Sequence, residues 1–420
     1  MKTKPIFRLI LVCLMVTLYT SLGFTQTNTA FKEIEGKVVD ETNKSPLIFA
    51  DLTVSNSNIS TVTNSDGDFL LKIPPSLLKE TLTISYLGYE DKILNIERIE
   101  NHSKIKLTPA YTELSAINIT SLKMSANELV LETLKKKSST YTNENTLMTA
   151  FYRETIKKRR KNASLSEAVV KIHKQPYNNY RNDHIELIKA RKSTNYSRLD
   201  TIALKLQGGP FGNLYTDIIK YPEYIFTPEN IPNYEFNFGE STQINNSLIY
   251  VVNFKQRDHI DEPLYYGKLY IDSKTLALTS AVYSLNVENR ELSSQMYIRK
   301  KPRKVDVYPT EASYRVNYRT SNGKWHYAYS NISLTFKVNW RGKLFNSIYT
   351  LSSEMAITDW ELNESKIAHI KSQLIRPTTI LTDKASGFSD PRFWGEYNII
   401  EPEKSIESAI KKIQKQLKRT

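Results

Sequence analysis

Cysteine is almost missing from this chain. Cys13 is the single one in 420 residues, and it lies inside an N-terminal apolar run, Leu9 to Leu22. Lys2, Lys4 and Arg8 accompany the start of that run, and the small residues Ser21 and Gly23 close it. A basic start, a short apolar stretch and a small-residue end form the pattern of a secretory signal peptide, here residues 1–26, too short for a bilayer span. Val12 ahead of Cys13 and the apolar residues behind it make this cysteine a poor lipoprotein acceptor. Once 1–26 is removed the chain has no cysteine, which excludes disulfides, thiol nucleophiles and thiolate metal sites. Long apolar runs are lacking as well: no later stretch is apolar enough to cross a membrane as a helix. The expected product is exported, periplasmic or outer-membrane-associated, and soluble or peripherally attached.

Motifs that carry chemistry are equally scarce. No Gly-x-Ser-x-Gly elbow and no dinucleotide fingerprint occurs. Gly208-Gly209-Pro210-Phe211-Gly212 is rich in glycine, but no Lys-Ser/Thr follows it, so it reads as a backbone corner rather than a phosphate loop. Asp66-Gly67-Asp68 lacks the further acids a calcium loop needs. His259-Ile260-Asp261-Glu262 fits the His-x-x-Glu spacing of a zinc pair, with His369 as a third ligand. Against it, any of 6 histidines meets an acid three residues on by chance, and this one sits in a proline-ended loop between two apparent strands. The expectation is therefore no catalytic, cofactor-binding or metal residue. A zinc metallohydrolase of the carboxypeptidase kind, using His259, Glu262 and His369, stands as the alternative.

What the chain does have is tyrosine, 26 of them against 15 Phe and 4 Trp. Tyrosine suits strand faces that are half wet and half buried. Charge is uneven. Residues 27–110 carry nine Lys and Arg against twelve Asp and Glu, whereas 111–200 carry seventeen against nine. A basic segment of that kind is either a solvated face or a surface for anionic groups, lipid headgroups among them. Lys157 to Lys161 is its densest point, five cations in a row.

From Glu33 on, short apolar runs alternate with turn chemistry about every ten residues. Gly36-Lys37-Val38-Val39-Asp40 reads as a strand, and Pro46 launches a second over Ile48 to Val54. Asn64-Ser65-Asp66-Gly67-Asp68 is a tight turn before Phe69-Leu70-Leu71. Leu82 to Tyr86 and Ile93 to Ile96 flank the corner Leu87-Gly88-Tyr89. In that order, Gly-x-Val-x-Asp, Pro-Leu-x-x-Ala, Thr-x-Ser-Asp-Gly-x-Phe and Tyr-x-Gly-Tyr resemble the carboxypeptidase-regulatory-like domain. The resemblance implies a transthyretin-like seven-stranded sandwich that carries no catalytic residue.

Beyond it, Ser125 and Glu128 form a capping box for a helix over about 126–139. Leu147 to Lys158 and Ala163 to Lys174 read as a hairpin, with a helix over 150–161 as the rival. A short helix is expected over 213–220. Long strands follow over 234–240, 248–256, 264–271, 277–288, 311–320, 325–338 and 344–357, with a type I′ turn at Ser321-Asn322-Gly323-Lys324. The stretch Gly267 to Thr275, with Leu278 and Val282, resembles a piece of the LolA/LolB-like lipoprotein-carrier half-barrels, which implies a convex sheet wrapped over a helix around acyl chains. A closing helix is expected over 403–417, striped by Ile406, Ile410 and Ile413. With this ending, the chain resembles exported envelope proteins of unknown function that carry the same N-terminal sandwich.

The reading is mainly β: a seven-stranded sandwich over 27–110, a linker over 111–124, and a curved antiparallel sheet domain with a few helices over 125–420. The expected function is that of a non-enzymatic envelope protein. Its sandwich would dock or assemble, and its sheet would hold an apolar or lipid ligand. A surface scaffold that binds glycan or protein through tyrosine-rich faces is the further alternative. The partner is expected to be an envelope protein or an apolar ligand and not nucleic acid; the oligomeric state stays open.

Overall fold

The computed structural model describes residues 31–110, 124–159, 161–194, 207–244, 247–299, 301–342, 344–363, 374–385, 393–404 and 406. The expected signal peptide, nearly all of the 111–124 linker and most of the 403–417 helix lie outside the described residues.

Seven strands build the first body: β1 (Lys32–Asp40), β2 (Asp51–Val54), β3 (Ser60–Val62), β4 (Asp68–Ile73), β5 (Thr81–Ser85), β6 (Lys92–Asn95) and β7 (Ser103–Leu107). They form two sheets, β4-β1-β7 and β3-β2-β5-β6. All pairs are antiparallel except β1 with β7. Alternate residues point inward, so Leu52 and Val54 of β2 meet Leu82 and Ile84 of β5, Val38 of β1 and Leu71 of β4 in one apolar core. The Asn64 turn forms as its chemistry demands. Its side-chain oxygen accepts from the backbone N–H of Asp66 and of Asp68, each at 2.9 Å. Gly67 takes φ +77°, and a Cβ there would stand 2.8 Å from the Val38 carbonyl oxygen. The second strand is shorter than expected and begins at Asp51. The Thr63 hydroxyl takes the Ala50 N–H at 2.8 Å, and Phe49 turns at φ +63°, which breaks the ladder ahead of Asp51.

Twelve strands form the second, curved antiparallel sheet. They are β8 (Thr146–Lys158), β9 (Lys161–Lys174), β10 (His184–Thr194), β11 (Tyr234–Phe238), β12 (Thr242–Ile244), β13 (Ser247–Gln256), β14 (Tyr265–Asp272), β15 (Leu278–Leu285), β16 (Val305–Ser321), β17 (Lys324–Trp340), β18 (Ser347–Leu362) and β19 (Leu374–Ile375). The order is β11-β13-β14-β15-β16-β17-β18-β8-β9-β10-β19, with β12 paired to β13. The 147–174 hairpin is present, and its rival helix is not. Four helices accompany the sheet among the described residues: α1 (Ala126–Lys135), α2 (Lys137–Thr140), α3 (Pro210–Leu214) and α4 (Arg290–Tyr297). The capping box at Ser125 and Glu128 is formed. The helix it starts ends at Lys135 rather than near 139, and Lys136, with ψ near 0°, separates it from α2. The short helix expected over 213–220 starts instead at Pro210. Gly208 and Gly209 turn at φ +99° and +51° and hand the chain to a proline at the first helical position.

Strand order explains how the interior is filled. β10 lies near one edge of the sheet and β11 at the other, so the chain between them has to cross the sheet face. That crossover brings Phe211, Leu214, Ile218, Ile219, Ile225 and Phe226 onto the inner face, where α1 adds Leu129 and Val130. The outer face receives the sandwich. Phe151, Val169, Tyr329 and Ala356 point outward to Val62 and Leu70 of the sandwich and to Trp394, Ile399 and Ile400. The run from Ala150 to Ile156 is therefore buried on both sides, and its apolar alternation is blurred in the sequence for that reason.

Candidate functional site

The inner face carries charge at its centre. Lys174 closes β9 at an inward position, in register with Val170 and Ile172. Its Nζ lies 2.8 Å from Asp183 and 2.7 Å from Asp217 of the crossover, and all three side chains are fully buried. Tyr177 and Tyr318 donate their hydroxyls to Asp217 at 2.8 and 2.9 Å, and Tyr221 donates to Asp183 at 2.6 Å. Burial works against the Lys174 charge, but the two carboxylates outweigh it and hold its pKa above the ordinary lysine value. Burial and the Asp217 charge push the Tyr177 and Tyr318 hydroxyls well above the ordinary phenol range, so both remain donors. Lys220 completes the charge balance; its Nζ donates to the carbonyls of Pro176 and Asn179 at 2.7 and 2.9 Å. Burial brings its pKa down to about 8 against the pull of Asp183. Two cations against two carboxylates, saturated with hydrogen bonds, pin the crossover to the sheet.

Above this cluster the sheet opens into a pocket of about 500 Å³. Tyr180, Tyr221, Phe226 and Pro228 line it together with the cations Lys137, Arg181 and Lys220 and the acids Glu223 and Glu229. Tyr180 is 92% exposed, and the Lys137 ammonium stands 5.1 Å from its ring. Tyr224 stacks on Tyr215 at 4.9 Å beside it. Aromatic and proline surface gives this mouth an apolar wall, and around it Lys137, Arg181 and Lys220 outnumber Glu223 and Glu229 by one charge.

A second buried cluster lies on the outer face. Arg153 bonds Glu167 at 2.7 Å and Glu354 at 3.0 Å and donates to the Ile400 carbonyl at 2.8 Å. Arg191 bonds the other oxygen of Glu167 at 2.7 Å and lies 4.7 Å from the Trp394 ring. Against burial, Arg153 and Arg191 hold the Glu167 carboxyl below its ordinary range. This cluster seats the segment 393–401, and that segment in turn holds the sandwich. The Asn398 side chain pairs with both backbone groups of Lys72, at 2.6 and 3.1 Å. Thr61 and Asn64 donate to the carbonyls of Ile399 and Glu401 at 3.1 and 3.0 Å. Arg319 of β16 bonds Asp51 and Ser60 directly.

The zinc reading finds His259 and Glu262 exposed in the turn between β13 and β14, and His369 lies outside the described residues. Among the described residues no group of three or more His, Cys, Asp or Glu is arranged to hold a metal ion. The acids of Asp66-Gly67-Asp68 are partnered by the Lys404 N–H at 3.0 Å and by Lys37 at 2.5 Å. Tyr250, Tyr270 and Tyr314 lie half-buried on strand faces as expected, but Tyr141, Tyr152, Tyr177, Tyr234, Tyr327, Tyr329 and Tyr349 are fully buried. The hydroxyls of Tyr141, Tyr152, Tyr177 and Tyr327 find acceptors in the interior, as Tyr141 does at the Leu278 carbonyl, 2.7 Å away. Sequence reasoning missed Lys174, Asp183, Asp217 and the Arg153 cluster. The available signal was Lys174 itself, a cation at an inward position of an apolar strand, which requires a buried partner.

The family model of the carboxypeptidase-regulatory-like domain matches residues 34–119, where the motif order put it. A search of curated proteins finds no match. Among solved structures, the chain is similar to a putative outer membrane lipoprotein-sorting protein domain from Vibrio parahaemolyticus, at 10% identity and TM-score 0.25, over 57% of this chain and 93% of that one. It is similar to a LolA superfamily protein from Nitrosomonas europaea at 8% identity and TM-score 0.24, over 59% and 97%. A DUF1329 family protein from Desulfovibrio piger gives the same 8% identity, TM-score 0.24 and coverage of 59% and 97%.

Proposed function

We propose that this chain is an exported, non-enzymatic protein of the cell envelope built as two mated bodies. The sandwich of 27–110 is the docking module. It is joined through 111–124 to the sheet-and-helix body of 125–420, which binds an apolar or lipid-like ligand with a small anionic end. The observation that carries the reading is the mouth pocket: apolar rings beside Lys137 and Arg181, over an inner face already filled by the crossover. The ligand is held at the mouth and not deep under the sheet. The basic and apolar pattern of residues 1–26 supports export, and the saturated hydrogen bonding of Lys174, Asp183 and Asp217 supports a structural rather than a catalytic use of those charges.

The test is titration of the purified chain with a fluorescent fatty acid. The wild type is expected to bind it. Tyr180→Ala with Arg181→Ala, both at exposed positions, is expected to weaken binding by about tenfold without a change in melting temperature. No binding by the wild type, or equal binding by the double variant, rejects the mouth as the site.

A further inference from the structure

The opposite end of the curved sheet carries a different surface. Strand register brings three tips together there. In the β8–β9 tip Lys158 stands across from Lys161, and the Arg159 N–H donates to the Ile348 carbonyl of β18 at 2.8 Å. In the connection from β17 to β18 the Arg341 N–H donates to the Lys304 carbonyl at 3.0 Å, which ties it to the approach to β16. Arg159, Lys161, Arg303, Lys304 and Arg341 are all exposed. Nearby acids are matched by other lysines: Asp306 lies 3.4 Å from Lys301, and Glu403 lies 3.6 Å from Lys157.

Between these cations stand the most exposed aliphatic and phenylalanine side chains of the described residues. Leu344 is 95% exposed and its neighbour Phe345 is 78% exposed, with Ile348 beside them at 45%. Single exposed apolar residues are ordinary, but an adjacent pair projecting from a turn, with a third alongside and a collar of cations, is not. A nucleic acid or an acidic protein would take up the cations and leave Leu344 and Phe345 in water. A bilayer satisfies both sets at once, because its acyl boundary accepts the apolar pair while its headgroups meet the arginines and lysines.

We propose that this end of the sheet docks on the surface of a membrane that carries anionic phospholipid, with Leu344 and Phe345 inserted and the five exposed cations against the headgroups. The proposal stands independently of the mouth pocket, which lies at the other end of the strands. It is tested by cosedimentation of the full chain with phosphatidylcholine vesicles, with and without phosphatidylglycerol. The wild type is expected to sediment with the phosphatidylglycerol vesicles and to remain in solution with phosphatidylcholine alone. Leu344→Ser with Phe345→Ser, and separately Arg159→Glu with Lys161→Glu, are each expected to lower the bound fraction about tenfold. Both pairs lie on exposed tips, so melting temperature and fatty-acid binding at the mouth are expected to stay at wild-type values. Phe345→Trp adds a direct readout: its emission is expected to shift to the blue when phosphatidylglycerol vesicles are added. Absence of vesicle binding, equal binding to both kinds of vesicle, binding indifferent to the Leu344 and Phe345 changes, or binding to duplex DNA in place of vesicles would each overturn the proposal.

Discussion

At the scale of single residues, the interior is defined by polar groups placed where an apolar side chain would be expected. Glu154 is the sharpest case. It points to the inner face and accepts the Tyr152 hydroxyl at 2.9 Å, and burial raises its carboxyl to a pKa of about 7 from an ordinary 4.5. The folded protein thus keeps a proton that the unfolded chain releases. The stability linked to this group is complete below pH 4.5 and is lost as pH rises through 7. Integrated, the effect is on the order of 3 kcal/mol. Glu154→Gln keeps an acceptor for Tyr152 and removes the titration. In urea unfolding, the variant is expected to gain on the wild type as pH rises from 5 toward 8, by up to about 3 kcal/mol. Parallel pH profiles for the two proteins would contradict the buried, titrating carboxyl.

At the scale of elements, glycine has two separate uses. Gly267 in β14 stands opposite Tyr283 of β15, and a Cβ there would fall 2.2 Å from the Val282 carbonyl oxygen and 2.6 Å from the Tyr283 Cα. Both are backbone atoms, so a methyl group forces the two strands apart. Gly323, in the turn from β16 to β17, has open space around it but sits at φ +74° beside Asn322 at φ +50°. Gly267→Ala is expected to cost about 3 kcal/mol or more, and Gly323→Ala about 1 kcal/mol, each read as a shift in the urea midpoint. A larger loss at Gly323 than at Gly267 would reverse this account. The type I′ turn was legible because Asn-Gly demands it locally. The close approach at Gly267 was not, since it depends on which strand lies beside β14. Strand β16 shows the same limit: it begins at Val305 rather than near 311, because a bulge between Pro309 and Glu311 lets the ladder continue past a residue with no N–H to donate.

At the scale of the whole molecule, the sandwich is mortared to the large sheet. Residues 393–401 lie between Phe151 and Val169 on one side and Val62 and Leu70 on the other, and Arg319 reaches across to Asp51. The wild type is therefore expected to unfold in one calorimetric transition. Asn398→Ala with Arg319→Ala removes the paired bonds to Lys72 and the bridge to Asp51. That variant is expected to unfold in two transitions, the sandwich separating from the sheet body. A single transition in the double variant would show that the apolar contacts and the remaining bonds of Asn58, Ser60, Thr61 and Asn64 suffice to couple the two bodies.

The amino-acid order by itself determined the mainly β class, the sandwich and its Asn64 and Gly88 corners, the Ser125 capping box and the turn at 321–324. Each rests on φ/ψ demands or hydrogen bonds between residues a few positions apart, so the information is local. Only tertiary structure decided where the charges go. Lys174 meets Asp217, 43 positions away, because the crossover must travel from one sheet edge to the other; Arg153 meets Glu354, 201 positions away, because β18 pairs with β8. A buried ion pair is specified by strand order, and strand order is set by the sum of many weak packing terms that no short stretch of sequence carries.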